Sequence, residues 1–337
     1  MAALRVGLIG AGMISPYHLT AWSRLQQAKV VAICDPDRAR AEERAKAFGI
    51  QCVHTDAAAM LANEKLDAVD IASPRECHAE HVRQAAARGL AVLCQKPLTP
   101  TLEEAEALVA EVGARSRLMV HENWRFRPNY RQAKRWLDEG RVGTIRGARM
   151  VMRASGFLPD VEGKYPSLVR QPFMAKERRL FVAESFIHQM DVMRWLVGPM
   201  RVVAARLGRV CPAVIGEDSA VIVAATPDGV LVTMDGDGAA PGYPARSSEE
   251  LEIVGTRCTL RFADLKLRLS GAESASIAYD RDEIYQASFD ACIRHFVECL
   301  ESGAAFETAP ADNLETLRLV EDTYRLAGPI RDLVRTR

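Results

Sequence analysis

The sequence predicts an α/β protein: an amino-terminal domain on a parallel sheet, then an α+β domain with a large, mainly antiparallel sheet. Three observations predict it. Short apolar runs alternate with helical patterns over the first ~120 residues, the rhythm of βαβ units. Further on, alternating strands are joined by turn signals such as Pro227-Asp228-Gly229. The 337-residue chain also exceeds the length of roughly 250–300 residues at which a single core stops growing. The change of rhythm sets domains over 1–122 and 123–337.

The first-half strands are runs apolar enough to be buried on both faces, as parallel strands are: 4–10 (LRVGLIG), 29–35 (KVVAICD), 67–73 (DAVDIAS), 90–97 (LAVLCQKP) and 117–123 (RLMVHEN). Helical stretches fall between them, one ending near Leu25, a charged Ala-rich one at 37–47, one at 78–88 before Gly89, and one at 101–113. In the second half a helix at 128–139 precedes strands at 144–154, 201–210, 218–226, 229–236, 250–255 and 257–263. A helix at 184–197 interrupts that series, and helices at 286–301 and 311–326 close it.

Lys plus Arg number 44 and Asp plus Glu 44, so the chain lacks the net basic field that displaces phosphate counterions, and no nucleic-acid partner is expected. No apolar run reaches the ~18–20 residues that cross a bilayer, so no membrane association is expected. The start, MAALRVGLIGAG, runs into a strand-turn pattern without a basic leader. Cysteines at 34, 52, 77, 94, 211, 258, 292 and 299 show neither C-x-x-C pairing nor metal-ligand spacing. The expected protein is cytoplasmic, with no structural disulfide and no metal.

Gly10-Ala11-Gly12-Met13-Ile14-Ser15 sits between the first strand and helix. A glycine at 10 suits a tight turn, one at 12 lets backbone approach a pyrophosphate at the helix N-terminus, and a small Ser15 permits close helix–strand packing. Alone this could be an ordinary glycine-rich turn. Asp35 closes the second strand 25 residues after Gly10, where a carboxylate would accept hydrogen bonds from ribose hydroxyls. Together they read as a dinucleotide site of the Rossmann type. A carboxylate repels a 2′-phosphate and favours NAD; Arg38 could pair with that phosphate and leaves NADP open.

Cys94-Gln95-Lys96-Pro97 ends the fourth strand, and carboxyl ends of parallel strands face the ligand crevice. A lysine there can exchange a proton with a reacting oxygen if its pKa is lowered; a solvated surface lysine is the plain alternative. In the 184–197 helix, Glu184, His188, Asp191 and Trp195 fall within a stripe of roughly 60° at about 100° per residue. Phe186, Met190, Met193 and Val197 take the opposite, core side. Glu184 beside His188 would orient the ring and favour its protonated form, useful for acid–base work; a wet face with an incidental pair reads equally from periodicity.

In this order the motifs resemble the glucose–fructose oxidoreductase, inositol dehydrogenase and rhizopine-catabolism (Gfo/Idh/MocA) family, over essentially the whole chain. Gly10–Ser15 matches its opening, and Ala72-Ser73-Pro74 with His78 its third-strand loop. Leu93-Cys94-Gln95-Lys96-Pro97-Leu98 matches its E-K-P segment, and Asn123-Trp124-Arg125-Phe126-Arg127-Pro128 the start of its second domain. Glu184-x-x-x-His188-x-x-Asp191 with Gly198 falls on its D-x-x-x-H-x-x-D helix. The resemblance implies Lys96, His188 and Glu184 as catalytic residues. It implies that Gly10, Gly12, Met13, Ile14, Asp35, Arg38, Ser73, Pro74, His78, Gln95, Lys96 and Asn123 surround the cofactor. Two departures stand out: Glu184 replaces an Asp and is one methylene longer, and Gln95 replaces a Glu and removes a negative neighbour of Lys96.

The implied reaction is NAD-dependent oxidation of a secondary or hemiacetal hydroxyl, with His188 or Lys96 taking the proton. His121, Asn123 and Trp124 follow the last parallel strand and are expected at the substrate with Lys96, Arg153, Glu184 and His188. Arg153, Arg170, Arg178 and Arg179 flank a long Gly/Pro-broken segment, 155–182, that could serve as a lid or subunit contact. The His-Glu-Asn-Trp-Arg-Phe and Gln-Lys-Pro combination resembles an aldose-oxidising branch, with a pentose such as apiose as one candidate. Competing readings are an NAD-dependent glycoside hydrolase of the family and a non-catalytic dinucleotide-binding regulator. The resemblance also implies a homodimer or homotetramer, for which VVAARLGRV and AVIVAAT supply an apolar face.

Overall fold

The computed structural model describes residues 3–113 and 116–333, and the chain divides into two compact units. The first comprises Met1–Phe126 with Tyr285–Leu317, the second Arg127–Ile284 with Arg318–Arg337.

In the first unit the chain runs β1 (Leu4–Ile9), α1 (Ser15–Ser23), β2 (Ala28–Cys34), α2 (Arg38–Phe48), β3 (Cys52–His54), α3 (Ala57–Asn63), β4 (Ala68–Ile71), α4 (His78–Ala86), β5 (Ala91–Gln95), α5 (Leu102–Val112) and β6 (Leu118–His121). The six strands form one parallel sheet in the order β3-β2-β1-β4-β5-β6. The order reverses between β1 and β4, and ligands bind outside the carboxyl ends of strands at such a switch point. Helix starts follow capping chemistry: Asp37, Asp56 and Thr101 each accept a first-turn amide, at 3.2, 2.7 and 3.2 Å. The core under the sheet holds Val6, Leu8, Leu19, Trp22, Ile33 and Met119, and Phe289, Ile293 and Phe296 from far along the chain join it.

The second unit carries α6 (Pro128–Asp138), β7 (Ile145–Arg153), α7 (Pro166–Arg170), a π-helical turn at Phe181–Phe186 and α8 (Ile187–Val197). Strands β8 (Arg201–Arg209), β9 (Ser219–Ala225), β10 (Leu231–Asp237), β11 (Ser248–Gly255), β12 (Cys258–Ala263), β13 (Lys266–Gly271) and β14 (Ala275–Ala278) follow. Helices α9 (Arg281–Ser302) and α10 (Pro310–Ala327) each pass from one unit to the other, and β15 (Arg331–Asp332) ends the described chain. The nine-stranded sheet has the order β14-β13-β12-β11-β7-β10-β9-β8-β15 and is antiparallel except at β7–β10 and β8–β15. One parallel sheet followed by one mainly antiparallel sheet is what the sequence predicts.

The sequence pattern gives no elements at 48–66 or 264–285, where the structure has β3, α3, β13 and β14. Three-residue β3 and seven-residue α3 are too short for a period to emerge. The β12–β13 hairpin turns on Asp264 and Leu265, with φ of 51° and 57°. This left-handed pair is normally signalled by glycine or asparagine, so the turn left no mark in the sequence. Among the described residues no helix is long and apolar enough to cross a membrane.

Candidate active site

In the glycine turn the backbone is left-handed at Gly10, φ 106°, and a Cβ there would lie 2.6 Å from the Ala72 carbonyl. Gly12 differs: a Cβ would meet nothing within 4 Å, so its lack of a side chain serves no internal packing. Ser15 is fully buried at the start of α1, its hydroxyl donating to the Gly12 carbonyl at 2.8 Å. The Ser15 and Tyr17 amides turn back onto the Gly12 and Ile14 carbonyls at 3.2 and 3.0 Å, so Gly12–Ile14 lead directly into the positive end of α1, a place that fits a pyrophosphate.

Asp35 is 7% exposed. One carboxylate oxygen accepts from the Ala11 amide at 2.7 Å and the other from the Asp37 amide at 2.9 Å. The same group thus pins the glycine turn and stands where ribose hydroxyls would be met. Arg38 does not lie on it; its guanidinium donates to Glu42 one turn on, at 2.8 Å, and is mostly exposed. The nearest guanidinium to Asp35 is that of Arg40, at 3.9 Å.

Beyond β4, Ser73 and Pro74 lead into α4, and His78 is buried with Nδ1 2.9 Å from the Pro97 carbonyl and Nε2 2.9 Å from the Ser73 carbonyl. Burial pushes its pKa down to about 4, so near neutral pH the ring is uncharged and its single N–H donates to one of those two carbonyls. Lys96 follows β5 directly, joined to Pro97 by a cis peptide bond. Gln95 is buried beneath it, and its carbonyl accepts from the Lys96 amide at 3.1 Å. After β6, His121 is fully buried against Gln95 at 3.0 Å. Asn123 donates to the Ser288 hydroxyl at 2.7 Å, and Trp124 packs edge-on against Tyr285.

In the second unit the helix bearing Glu184 and His188 begins as a π-turn, and regular α-helix starts only at Ile187. The wider i→i+5 ring means that 100° per residue does not hold across Glu184–Phe186, so the expected single α-helical stripe is revised there. The fully buried Glu217 organises this start, its carboxylate accepting from the Val182 amide at 3.0 Å, the Leu180 amide at 3.4 Å and the Tyr324 hydroxyl at 2.6 Å. Burial raises the Glu217 pKa above the ordinary carboxylate range. A second buried carboxylate, Glu249, accepts from Gln189, Tyr130 and Arg127 at 2.9, 2.5 and 3.1 Å, fixing α8 immediately beside His188. His188 is 6% exposed and Asp191 fully buried. Arg153 is held on β10, donating to the Asp235 carboxylate at 2.5 Å and the Asp235 carbonyl at 2.8 Å. Arg179 makes a two-pronged pair with Glu321. Sequence reasoning missed Glu217 and Glu249; each stands next to another acid, Asp218 and Glu250, at the start of a strand and is indistinguishable by pattern from a surface residue.

Residues 4–122 match the model of an oxidoreductase family with an NAD-binding Rossmann fold, and residues 130–261 match the GFO/IDH/MocA C-terminal domain. The chain belongs to the Gfo/Idh/MocA oxidoreductase family. It is similar to D-apiose dehydrogenases of Paraburkholderia graminis, 36% identical over 94% of this chain and 86% of that protein, and of Rhizobium rhizogenes, 32% identical over 97% and 96%. An oxidoreductase from Agrobacterium radiobacter, solved in complex with NAD+, L-tartaric acid and magnesium, superposes with a TM-score of 0.89 at 31% identity, covering 97% of this chain and 96% of that one.

For a Gfo/Idh/MocA protein the geometry fits NAD: an open Gly12 just before the positive end of α1, and a carboxylate rather than a cation at the end of β2. Lys96 stands at the carboxyl edge of the same sheet. The chain is an oxidoreductase of this family with an NAD-binding Rossmann domain.

Proposed function

We propose that the protein oxidises a ring hydroxyl of a free aldose, with D-apiose the first candidate, and that Lys96 and His188 exchange the substrate proton. The observation that carries this is Lys96, held through its own backbone by Gln95 at the end of β5. The D-apiose dehydrogenases at 36% and 32% identity support the substrate class. When bound, NAD supplies the hydride acceptor. The chain's part is to hold the hydroxyl and take its proton as hydride leaves. Lys96 serves through its ammonium–amine couple and His188 through its imidazole, with Glu184 as the carboxylate of the set. Gly10, Gly12, Met13, Ile14, Asp35, Ser73, Pro74 and Asn123 bind NAD in this reading, and His121, Trp124 and Arg153 shape the substrate side. We further read the protein as cytoplasmic and as a homodimer or homotetramer; eight single thiols fit the first, and the outer face of the nine-stranded sheet fits the second.

The test is NADH formation on D-apiose, with NADP and myo-inositol as comparisons. Lys96→Ala and His188→Ala are each expected to lower kcat by about 10²–10⁴-fold while NAD still binds. Full turnover in both variants, or no NADH on D-apiose or any aldose despite tight NAD binding, would sink the reading.

A further inference from the structure

Beneath Lys96 runs a hydrogen-bonded chain of four buried side chains from four elements: Asp70 on β4, His18 on α1, Gln95 on β5 and His121 on β6. Asp70 lies inside a buried strand, and one of its oxygens faces both His18 Nδ1 and Trp22 Nε1, each at 2.7 Å. His18 Nε2 lies 2.9 Å from Gln95 Nε2, which also lies 3.0 Å from His121 Nδ1. The two imidazoles stack with centroids 4.4 Å apart, and Phe289 packs against both.

The proton positions follow from donor and acceptor rules. The Lys96 amide can only donate, and it meets Gln95 Oε1 at 3.1 Å, which fixes the orientation of the side-chain amide. Both Gln95 N–H groups therefore point at imidazole nitrogens, and each of those nitrogens must offer a lone pair. His18 then carries its proton on Nδ1, toward Asp70, and His121 carries its own on Nε2. With one proton on each ring, both are neutral. A second proton on His18 would set N–H against N–H, and turning the amide over would set N–H against the Lys96 amide.

We infer that Gln95 is a positioning residue that locks this chain in one neutral tautomer set and holds Lys96 beside an uncharged neighbour. A glutamate at 95 could only accept. It would draw protons onto both rings, make His18 an imidazolium between two carboxylates, and favour the ammonium form of Lys96. The identity of residue 95 thus decides whether the floor under the lysine stores a proton. The other titratable groups packed on the chain are the Cys94 thiol, pushed up by burial and by Asp70, Glu122, next in sequence to His121, and His78, which faces the Pro97 carbonyl. The inference rests on the acid–base reading of Lys96.

Two measurements on the full-length, NAD-bound protein test it. In imidazole ¹⁵N spectra of wild type near neutral pH, His18 should show the neutral Nδ1–H tautomer and His121 the Nε2–H tautomer. In Gln95→Glu, His18 should appear as imidazolium. An imidazolium His18 in wild type, or unchanged signals in the variant, overturns the proposal without reference to catalysis. The second measurement is the pH profile of kcat/KM. Gln95→Glu should lose about tenfold near neutral pH and regain it about one pH higher, as expected when a carboxylate is set beside a lysine. Gln95→Leu, which cannot accept from the Lys96 amide, should lose activity at every pH. Imidazole signals that change as expected with an unmoved pH profile would overturn the acid–base reading of Lys96, and the positioning role with it.

Discussion

Two glycines one residue apart do different work in the cofactor turn. Gly10 is required by the fold: its left-handed φ and the 2.6 Å approach to the Ala72 carbonyl leave no place for a methyl group. Gly10→Ala should cost at least about 1–2 kcal/mol in conformational strain before the overlap with backbone is counted. Gly12 is open on the folded chain, so Gly12→Ala should melt like wild type. Its added methyl stands where pyrophosphate must approach, so kcat/KM for NAD should fall by up to about a hundredfold. Thermal melts with and without NAD separate the two; a Gly12→Ala protein stabilised by NAD as strongly as wild type would place the pyrophosphate elsewhere. Much at this scale was legible in the sequence, because glycine spacing and the acid at the end of β2 are local signals. The partner of Arg38 was not, because Glu42 and a ribose phosphate are equally within a guanidinium's reach. Nor were His18 and Asp70, although an aspartate inside the run DAVDIAS is a charge in a strand buried on both faces, which requires a buried partner.

At the scale of elements, the helix carrying Glu184 and His188 depends on an acid outside it. Glu217 takes the amide protons that a helix start leaves unmet, and Tyr324 closes the arrangement. Its pKa is raised in the folded state by burial. From the unfolded value of about 4.5 upward, the folded protein therefore holds a proton that the unfolded chain has released. Stability is greatest on the acid side of that window and is lost as pH rises through it. The buried Asp218 beside it is shifted in the same sense by the same cause. Glu217→Gln, which cannot ionise, should flatten the decline of Tm over the weakly acidic range relative to wild type; a variant whose Tm follows the wild-type pH curve would mean the carboxyl is ionised throughout. The π-turn itself could not be read from periodicity. The pattern Glu184-x-x-x-His188 fits an α-helix, and only the long-range contacts of Glu217 with the Leu180 and Val182 amides show what holds the first turn. Long buried strands and capped helices were readable for the opposite reason, since their causes lie within a few residues.

For the whole molecule, the unresolved term is the outer face of the nine-stranded sheet. Strand alternation leaves Val203, Val221 and Leu231 outward at 43%, 52% and 58% exposure. Arg261, Glu252 and Arg149 stand side by side in register across β12, β11 and β7. A face on which outward apolar residues are interspersed with both charge signs can pair with a copy of itself about a two-fold axis, because each cation finds an anion on the partner. Single outward valines are common on monomers, so exposure alone decides nothing. Val203, Val221 and Leu231 lie on the adjacent strands β8, β9 and β10, with Arg206 and Asp235 in register on either side of Val221, and this is the face proposed above as the subunit contact. Val221→Asp combined with Leu231→Asp places two unpaired charges in that patch while touching no residue of the cofactor site. Light scattering after size exclusion should find wild type as a dimer or tetramer and the double variant as a monomer that still binds NAD. A wild-type monomer at micromolar concentration, or an unchanged mass in the double variant, would assign this face to solvent and leave the apolar strand edge without a partner.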